Sequence, residues 1–431
     1  MSSSRSRHAC ARRAALAAVA TTSLVACGEA PGSELELTRT AKQPIMNGTN
    51  LSVESVKEYG LVAVYHRYYP SSGPSFWWPR PCSGKILRSS SAGSTVLTAR
   101  HCVTRDGNAN GVLLEKEDIW LKAGRMPGLA TNEPPSGATQ ASTVQAMAVL
   151  TSQETGYQYD VLRTLYDAAL ITVPANWSTR VEYKQGYYLG DPQELEGLSA
   201  YSYGYGITDE GDCDEDDPPV TTGAGRARRA EFEVIDAWQD GNLRFGRIGS
   251  NENSGPRIMC GDSGGPLIRV NGSGDFAWGV QFGINSQGTV NTTMAMPGNW
   301  LAYNVLFHVS PYTTAPPNTS IKSLANVNGV LRLVSGAGSQ LYYDLQGRKI
   351  IVGAGGPSQK CLEDDYQGPY PFWTTCAGTS WQRWRLTPGG KIMADDKCLT
   401  DIGTDRPRLE TCVSGNAEAR APQRWAWHAQ P

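Results

Sequence analysis

Three short segments carry residue types that together could activate a nucleophile. Leu97-Thr98-Ala99-Arg100-His101-Cys102 reads as an apolar strand ending on a histidine. Tyr166-Asp167-Ala168-Ala169-Leu170-Ile171 sets a carboxylate at the head of a second apolar strand. Cys260-Gly261-Asp262-Ser263-Gly264-Gly265-Pro266-Leu267 holds a serine among glycines. A serine hydroxyl attacks a carbonyl at neutral pH only when a base takes its proton. A buried carboxylate then holds the imidazole tautomer and stabilises the imidazolium. Acyl transfer also needs donors aimed at the developing oxyanion. Gly261 gives the backbone the freedom to bring its own N–H and that of Ser263 towards one point. The expectation is therefore His101 as base, Asp167 as its orienter and Ser263 as nucleophile. Taken singly, each segment has a structural reading, a packed histidine or a glycine turn. Their occurrence together in one chain argues for chemistry.

These residues need a scaffold of strands and turns. Charged residues are only 19% of the 431, and Gly and Tyr number 47 and 19. That composition fits an all-β protein built from short strands. Leu61–Tyr65, Ser94–Ala99, Ile119–Ala123, Ala168–Val173, Ala200–Tyr205, Glu231–Ala237, Leu267–Val270 and Trp278–Phe282 carry the clearest strand patterns. Asn299–Val309 is the one stretch of that region with a helical pattern. Cys102 can bond to Cys82 in the preceding strand, which would pin the backbone that carries His101.

The N-terminal 27 residues read as an export signal. Arg5, Arg7, Arg12 and Arg13 precede an apolar run from Ala14 to Ala26 that is too short to span a membrane. Leu24-Val25-Ala26-Cys27-Gly28 resembles a bacterial lipobox, which would lipidate Cys27; ordinary cleavage near Ala26 is the alternative. Eight further cysteines, an even number in an exported chain, read as a disulfide framework. The net charge of −2 carries no basic excess for nucleic acid. Asp209 to Asp217 holds seven acids in nine residues but lacks EF-hand spacing. It reads as a solvated loop, and neither Ca²⁺ nor any other metal or cofactor is expected.

The C-terminal hundred residues repeat. Gln382-Arg383-Trp384 recurs as Gln423-Arg424-Trp425, and Ser339-Gln340-Leu341-Tyr342 aligns with Trp381-Gln382-Arg383-Trp384 at an offset of 42. Cys361-Leu362 with Cys376 recurs as Cys398-Leu399 with Cys412. A period near 40 with one aromatic per unit implies three β-units sharing a core. Tyr342 stands for the tryptophan in the first.

The three segments resemble the T-A-A-H-C, D-[IA]-A-L and G-D-S-G-G-P signatures of chymotrypsin/trypsin-type serine proteases. Tyr203-Gly204-Tyr205-Gly206-Ile207-Thr208 is similar to that family's G-W-G-x-T segment. Gln281-Phe282-Gly283 is similar to its S-W-G strand, which pairs with substrate backbone. The resemblance implies two antiparallel six-stranded β-barrels over residues 45–310 and a serine endopeptidase acting on polypeptides through an acyl-enzyme. It implies Cys213–Cys260 as a pair. It places Arg257 at the base of the specificity pocket or, in a shifted register, at the surface. Ile45-Met46-Asn47-Gly48-Thr49 resembles the family's mature terminus, so a freed Ile45 amine would pair with Asp262. Arg100 replaces the usual Ala and is expected to face solvent.

The repeats resemble ricin B-type β-trefoil lectins. That implies core tryptophans, pairs Cys361–Cys376 and Cys398–Cys412, and a glycan contact built from Glu363 with Trp373 as platform. The domain plan is then a signal over 1–27, a spacer or propeptide over 28–44, the protease over 45–310, a linker over 311–328 and the lectin-like module over 329–431. A secreted or envelope-anchored monomer is expected. The alternative is an inactive protease-fold binding protein or adhesin.

Overall fold

In the computed structural model the described residues are 45 and 48–429, apart from 71, 108–109, 131, 148–166, 178–184, 208–223, 241–242, 250–255, 272–273, 282–290, 296–304, 306, 312–321, 337, 345, 354–357 and 415–420. The signal, the spacer, Cys27 and the acidic run 209–217 lie outside them.

Strands dominate, as the alternating patterns require. In one eight-stranded sheet the strand Leu61–Tyr68 lies between Ile119–Ala123 and Cys82–Ser90, followed by Gly93–Thr98, Ala169–Val173 and Thr143–Ala146. The apolar residues Val62, Val64, Val96, Leu121 and Ile171 are all fully buried in its core. In a second sheet, Arg228–Asp240 pairs with both Ser199–Gly204 and Leu243–Gly249. The path through Pro266–Asn271, Gly274–Gln281 and Asn291–Ala295 returns to Leu243–Gly249. Six strands therefore close on themselves, which removes exposed edges.

One helix, Val53–Tyr59, escaped the period-based reading. Its signals are local: Ser52 caps it through its side chain to Ser55 N, and Gly60 closes it at φ +60°. Conversely, the end of the helical pattern in Asn299–Val309 is a strand, Phe307–Pro311. Phe307 and Val309 alternate inward there with no exposure. They pair with Trp425–Ala429, so this strand belongs to the C-terminal sheet system.

That system starts earlier than residue 329. The expected linker 311–328 contains a strand, Lys322–Val327, paired with Val330–Ser335. An eight-stranded and a four-stranded sheet together carry twelve described strands from Phe307 to Ala429. Three hairpins correspond: Lys322–Ser335, Lys360–Thr375 and Lys397–Thr411. Leu324, Leu362 and Leu399 are buried at equivalent points, each without exposure. Both cysteine pairs of the module form, Cys361–Cys376 and Cys398–Cys412, whereas Ser323 stands at the matching place in the first hairpin.

The equivalence extends to side-chain bonds. Trp384 Nε1 donates to Leu362 O and Trp425 Nε1 to Leu399 O, both at 2.8 Å. Gln382 Nε2 donates to Thr375 O at 2.8 Å and Gln423 Nε2 to Thr411 O at 2.9 Å. The aromatic of the first unit is Tyr343, not Tyr342. Tyr343 points inward at 2% exposure, while Tyr342 faces the other side of the strand and is half-buried. Tyr343, Trp384 and Trp425 are then evenly spaced, 41 residues apart.

Candidate active site

Strand pairing brings His101 and Asp167 together. Thr98, the last residue of Gly93–Thr98, pairs with Ala169, the first of Ala169–Val173. In an antiparallel pair, the chain leaving one strand then lies beside the chain entering the other. His101 sits three residues past Thr98 on a short 3₁₀ turn, and Asp167 two before Ala169. The Asp167 side chain is 2% exposed and grips His101 twice. Oδ1 accepts the His101 backbone N–H at 2.7 Å, and Oδ2 meets Nδ1 at 2.7 Å. One carboxylate thus fixes both the backbone and the ring. It selects the tautomer with the proton on Nδ1, which leaves Nε2 able to accept a proton.

Arg100 does not point into solvent. Half-buried, it donates to Met147 O at 3.1 Å and Gly111 O at 3.0 Å. Those bonds tie the turn before His101 to two neighbouring segments. Burial lowers its pKa, and the nearby Asp167 charge partly restores it.

Ser263 lies in the turn that enters Pro266–Asn271, between Gly261 at φ +92° and Gly264 at φ +82°. The turn is clamped onto the strand Cys82–Ser90. Ser83 N donates to Ser263 O at 2.7 Å, and Ser83 Oγ donates to Gly261 O at 2.7 Å. The same hydroxyl accepts Tyr205 N at 2.9 Å, and Ser83 O accepts Thr98 Oγ1 at 2.7 Å. Gly264 has no room for a side chain: a Cβ would sit 2.2 Å from both Ser83 O and Thr98 Oγ1. Cys82 is bonded to Cys102, whose Sγ lies 3.7 Å from Ser263 O. Two adjacent residues, Cys82 and Ser83, therefore fasten the histidine turn to the serine turn. Ser83 carried no sequence signal of its own beyond following a framework cysteine.

The Asp262 carboxylate is fully buried and accepts Gly206 N at 2.8 Å and Met259 N at 3.0 Å. Burial pushes its pKa up to about 7; the two N–H donors and then Arg228 pull the other way. A Cβ on Gly204 would lie 2.1 Å from its Oδ1 and one on Gly206 2.7 Å, so those glycines are dictated by this carboxylate. Ile45 is buried with no exposure. In the unbroken chain it has no free amine, and Asp262 is held by Gly206 and Met259. Cys260 O accepts Ile207 N, and Asp262 O accepts Gly265 N. Because a trans peptide sets its N–H opposite its C=O, the Gly261 and Ser263 N–H groups point away from those partners.

The other expected residues divide. Arg257 is half-buried just ahead of the serine turn. Gln281 ends the strand Gly274–Gln281, opposite Met294. Phe282 and Gly283 lie outside the described residues. Cys260 is disulfide-bonded, and its expected partner Cys213 lies outside the described residues. Glu363 is engaged, taking Gln382 Nε2 at 2.7 Å. Trp373 is no glycan platform: it is 4% exposed, its indole N–H reaching Ala325 O at 3.4 Å. It faces the core because it alternates inward on Phe372–Thr375. The exposed aromatics nearby are Tyr366 and Trp381, with centroids 4.8 Å apart.

Residues 79–304 match the trypsin family. The chain belongs to that family. The match ends just before Phe307–Pro311, where the C-terminal sheet system begins. No curated protein matches the chain. Similar solved structures include the protease Anisep from Arthrobacter nicotinovorans, at 17% identity and a TM-score of 0.33, covering 55% of this chain and 89% of that one. The thermostable serine protease AL20 from an extremophilic microorganism gives 16% identity, a TM-score of 0.35 and coverages of 56% and 92%. Human heparin binding protein gives 15%, 0.38, 60% and 94%. No helix among the described residues of this trypsin-family chain is long and apolar enough to cross a membrane.

Proposed function

We propose that this trypsin-family chain is an exported serine endopeptidase in which Ser263 attacks the scissile carbonyl. His101 Nε2 takes the Ser263 proton and returns it to the leaving amine. Asp167 holds the ring and stabilises the imidazolium. The N–H groups of Gly261 and Ser263 receive the oxyanion. The observation that carries this reading is the double grip of Asp167 on His101, at 2.7 Å to backbone and ring. A merely structural histidine has no need of a buried carboxylate fixing its tautomer. Export agrees with the described disulfides. Arg257 is assigned to the specificity region without a stated preference, and release of an Ile45 amine to Asp262 remains part of the proposal as the activating step. The C-terminal unit is proposed as a β-trefoil, supported by its twelve strands and three matching hairpins. It would act as a carbohydrate-targeting module on a monomeric enzyme.

The test is covalent labelling by a fluorophosphonate probe. Oxidised protein starting at Ile45, a form retaining residues 28–44 and a Ser263→Ala variant are compared. Labelling of the first that disappears in Ser263→Ala is expected. A folded, disulfide-complete sample that never labels would replace the enzyme reading with that of a protease-fold binding protein.

A further inference from the structure

In the unbroken chain the buried Asp262 carboxylate lies beside a buried cation. On the strand Arg228–Asp240, Arg228 stands between two partners, Asn50 on one side and Gly204 on the other. Residues paired in this way turn their side chains to one face of the sheet, with Cβ atoms about 4.5–5.5 Å apart. Gly204 has no side chain, and its place is taken by Asp262: a Cβ there would lie 2.1 Å from Oδ1. Asp262 therefore stands where the cross-strand neighbour of Arg228 would stand. Arg228 is 4% exposed, and its Nε donates to Asn50 Oδ1 at 3.1 Å. Burial lowers its pKa to about 10, so it keeps its charge at neutral pH.

The segment that cleavage would free is already in place. Ile45 is fully buried in the core while its own nitrogen is still an amide, and its carbonyl accepts Gly48 N. Thr49 and Asn50 then pair with Arg229 and Arg228. The serine turn is ordered in the same unbroken chain. Asp262 accepts Gly206 N and Met259 N, while Ser83 holds Ser263 O and Gly261 O. A carboxylate buried this deeply needs a counter-charge to stay ionised. Among the described residues, Arg228 is the cation that bears on it. With Ser263 taken as the nucleophile, we infer that Arg228 is a positioning residue that holds Asp262 and the oxyanion turn before any cleavage, so that the unbroken chain is already a working enzyme. Freeing the Ile45 amine then adds a second cation to the same carboxylate and raises an existing activity.

The test follows fluorophosphonate labelling of Ser263 in the chain retaining residues 28–44 and in the chain starting at Ile45. Intact mass confirms that the label sits on unbroken chain in the first. Wild type should label in both forms, at rates within about tenfold of each other. Arg228→Gln removes the charge and keeps a polar amide near Asn50. It should slow labelling of the unbroken chain by about tenfold or more, and that of the form starting at Ile45 by no more than about twofold, since the freed amine still faces Asp262. Arg228→Lys, which restores the charge, should bring the unbroken chain back to within about threefold of wild type. If Arg228→Gln does not fold, Arg228→Met fills the same space without charge and is read in the same way. Labelling of the wild-type Ile45 form alone would make cleavage obligatory and overturn the inference. Equal slowing of both forms would reduce Arg228 to a packing residue, and unchanged rates would detach its charge from the site; either result also overturns it. Absence of labelling from both wild-type forms would remove the endopeptidase reading itself, and this inference with it.

Discussion

The protease unit and the C-terminal unit are both stapled by disulfides, yet they close in opposite ways. At the candidate active site, contacts join residues far apart in sequence: His101 to Asp167, and Ser83 to Gly261 and Ser263. In the C-terminal unit, the second and third hairpins are closed by neighbours. Cys361 bonds Cys376, and Gln382 bonds the end of the same hairpin. Distant closure lets two turns from different sheets meet at one point, which catalysis needs. Local closure lets similar pieces be stacked, which a repeated surface needs. If that contrast is correct, perturbing the first region should cost chemistry, and perturbing the second should cost stability while leaving the chemistry at Ser263 unchanged.

The largest effect belongs to Asp167→Asn. The amide cannot hold the same tautomer, so kcat for a peptide substrate should fall by about 10⁴-fold with little change in KM. A drop shared with a comparable loss of thermal stability would instead mark Asp167 as a packing residue. Next comes Asp262, whose folded-state pKa is raised to about 7 by burial. A carboxyl with a raised folded pKa contributes stability below its unfolded value near 4, and this is lost as pH rises towards 7. The shift corresponds to at most roughly 4 kcal/mol. Urea unfolding of wild type and Asp262→Asn between pH 4 and 8 isolates the contribution. The wild type should lose stability relative to the variant across that window; parallel curves would remove the buried carboxyl from the account.

The disulfides test the contrast directly. Opening Cys361–Cys376, which spans 15 residues, should cost about 3 kcal/mol in unfolding free energy. It should leave the labelling rate of Ser263 unchanged. Opening Cys82–Cys102 should cost a similar amount and also slow labelling, since Cys102 carries the histidine turn onto Ser263. Equal slowing in both would mean that the two units do not differ as described. Ser83→Ala should follow at about 2 kcal/mol, because it removes a buried hydroxyl bonded to both Gly261 O and Tyr205 N. Its labelling rate should fall beyond what the stability loss explains.

The same contrast governs what the sequence revealed. The meeting of His101 with Asp167 was legible because each lies in a short segment with a pattern of its own. The cysteine pairs of the repeats were legible because the repeat writes them twice. Ser83 was not, since its function depends on two turns that reach it from more than a hundred residues away. Arg100 was misplaced for the same reason: its acceptors, Gly111 O and Met147 O, are backbone atoms with no sequence signature. Trp373 was misread because the inward or outward sense of a four-residue strand reverses with a one-residue change of register. The strand Phe307–Pro311 was hidden because its partner, Trp425–Ala429, lies at the far end of the repeat.

The smallest effect is the one that probes how local the C-terminal closure is. Tyr343 Oη donates to Trp384 O at 2.8 Å, a buried bond between the first unit and the second. Tyr343→Phe should cost about 1 kcal/mol, the worth of one such bond. Combined with the opening of Cys361–Cys376, the two losses should add to within about 0.5 kcal/mol if the hairpin and the inter-unit bond act independently. A coupling well above that value would show that the repeats, although closed locally, are held as one cooperative body. The Cys82–Cys102 opening with Ser83→Ala gives the reference, because there the partners share one strand and strong coupling is expected.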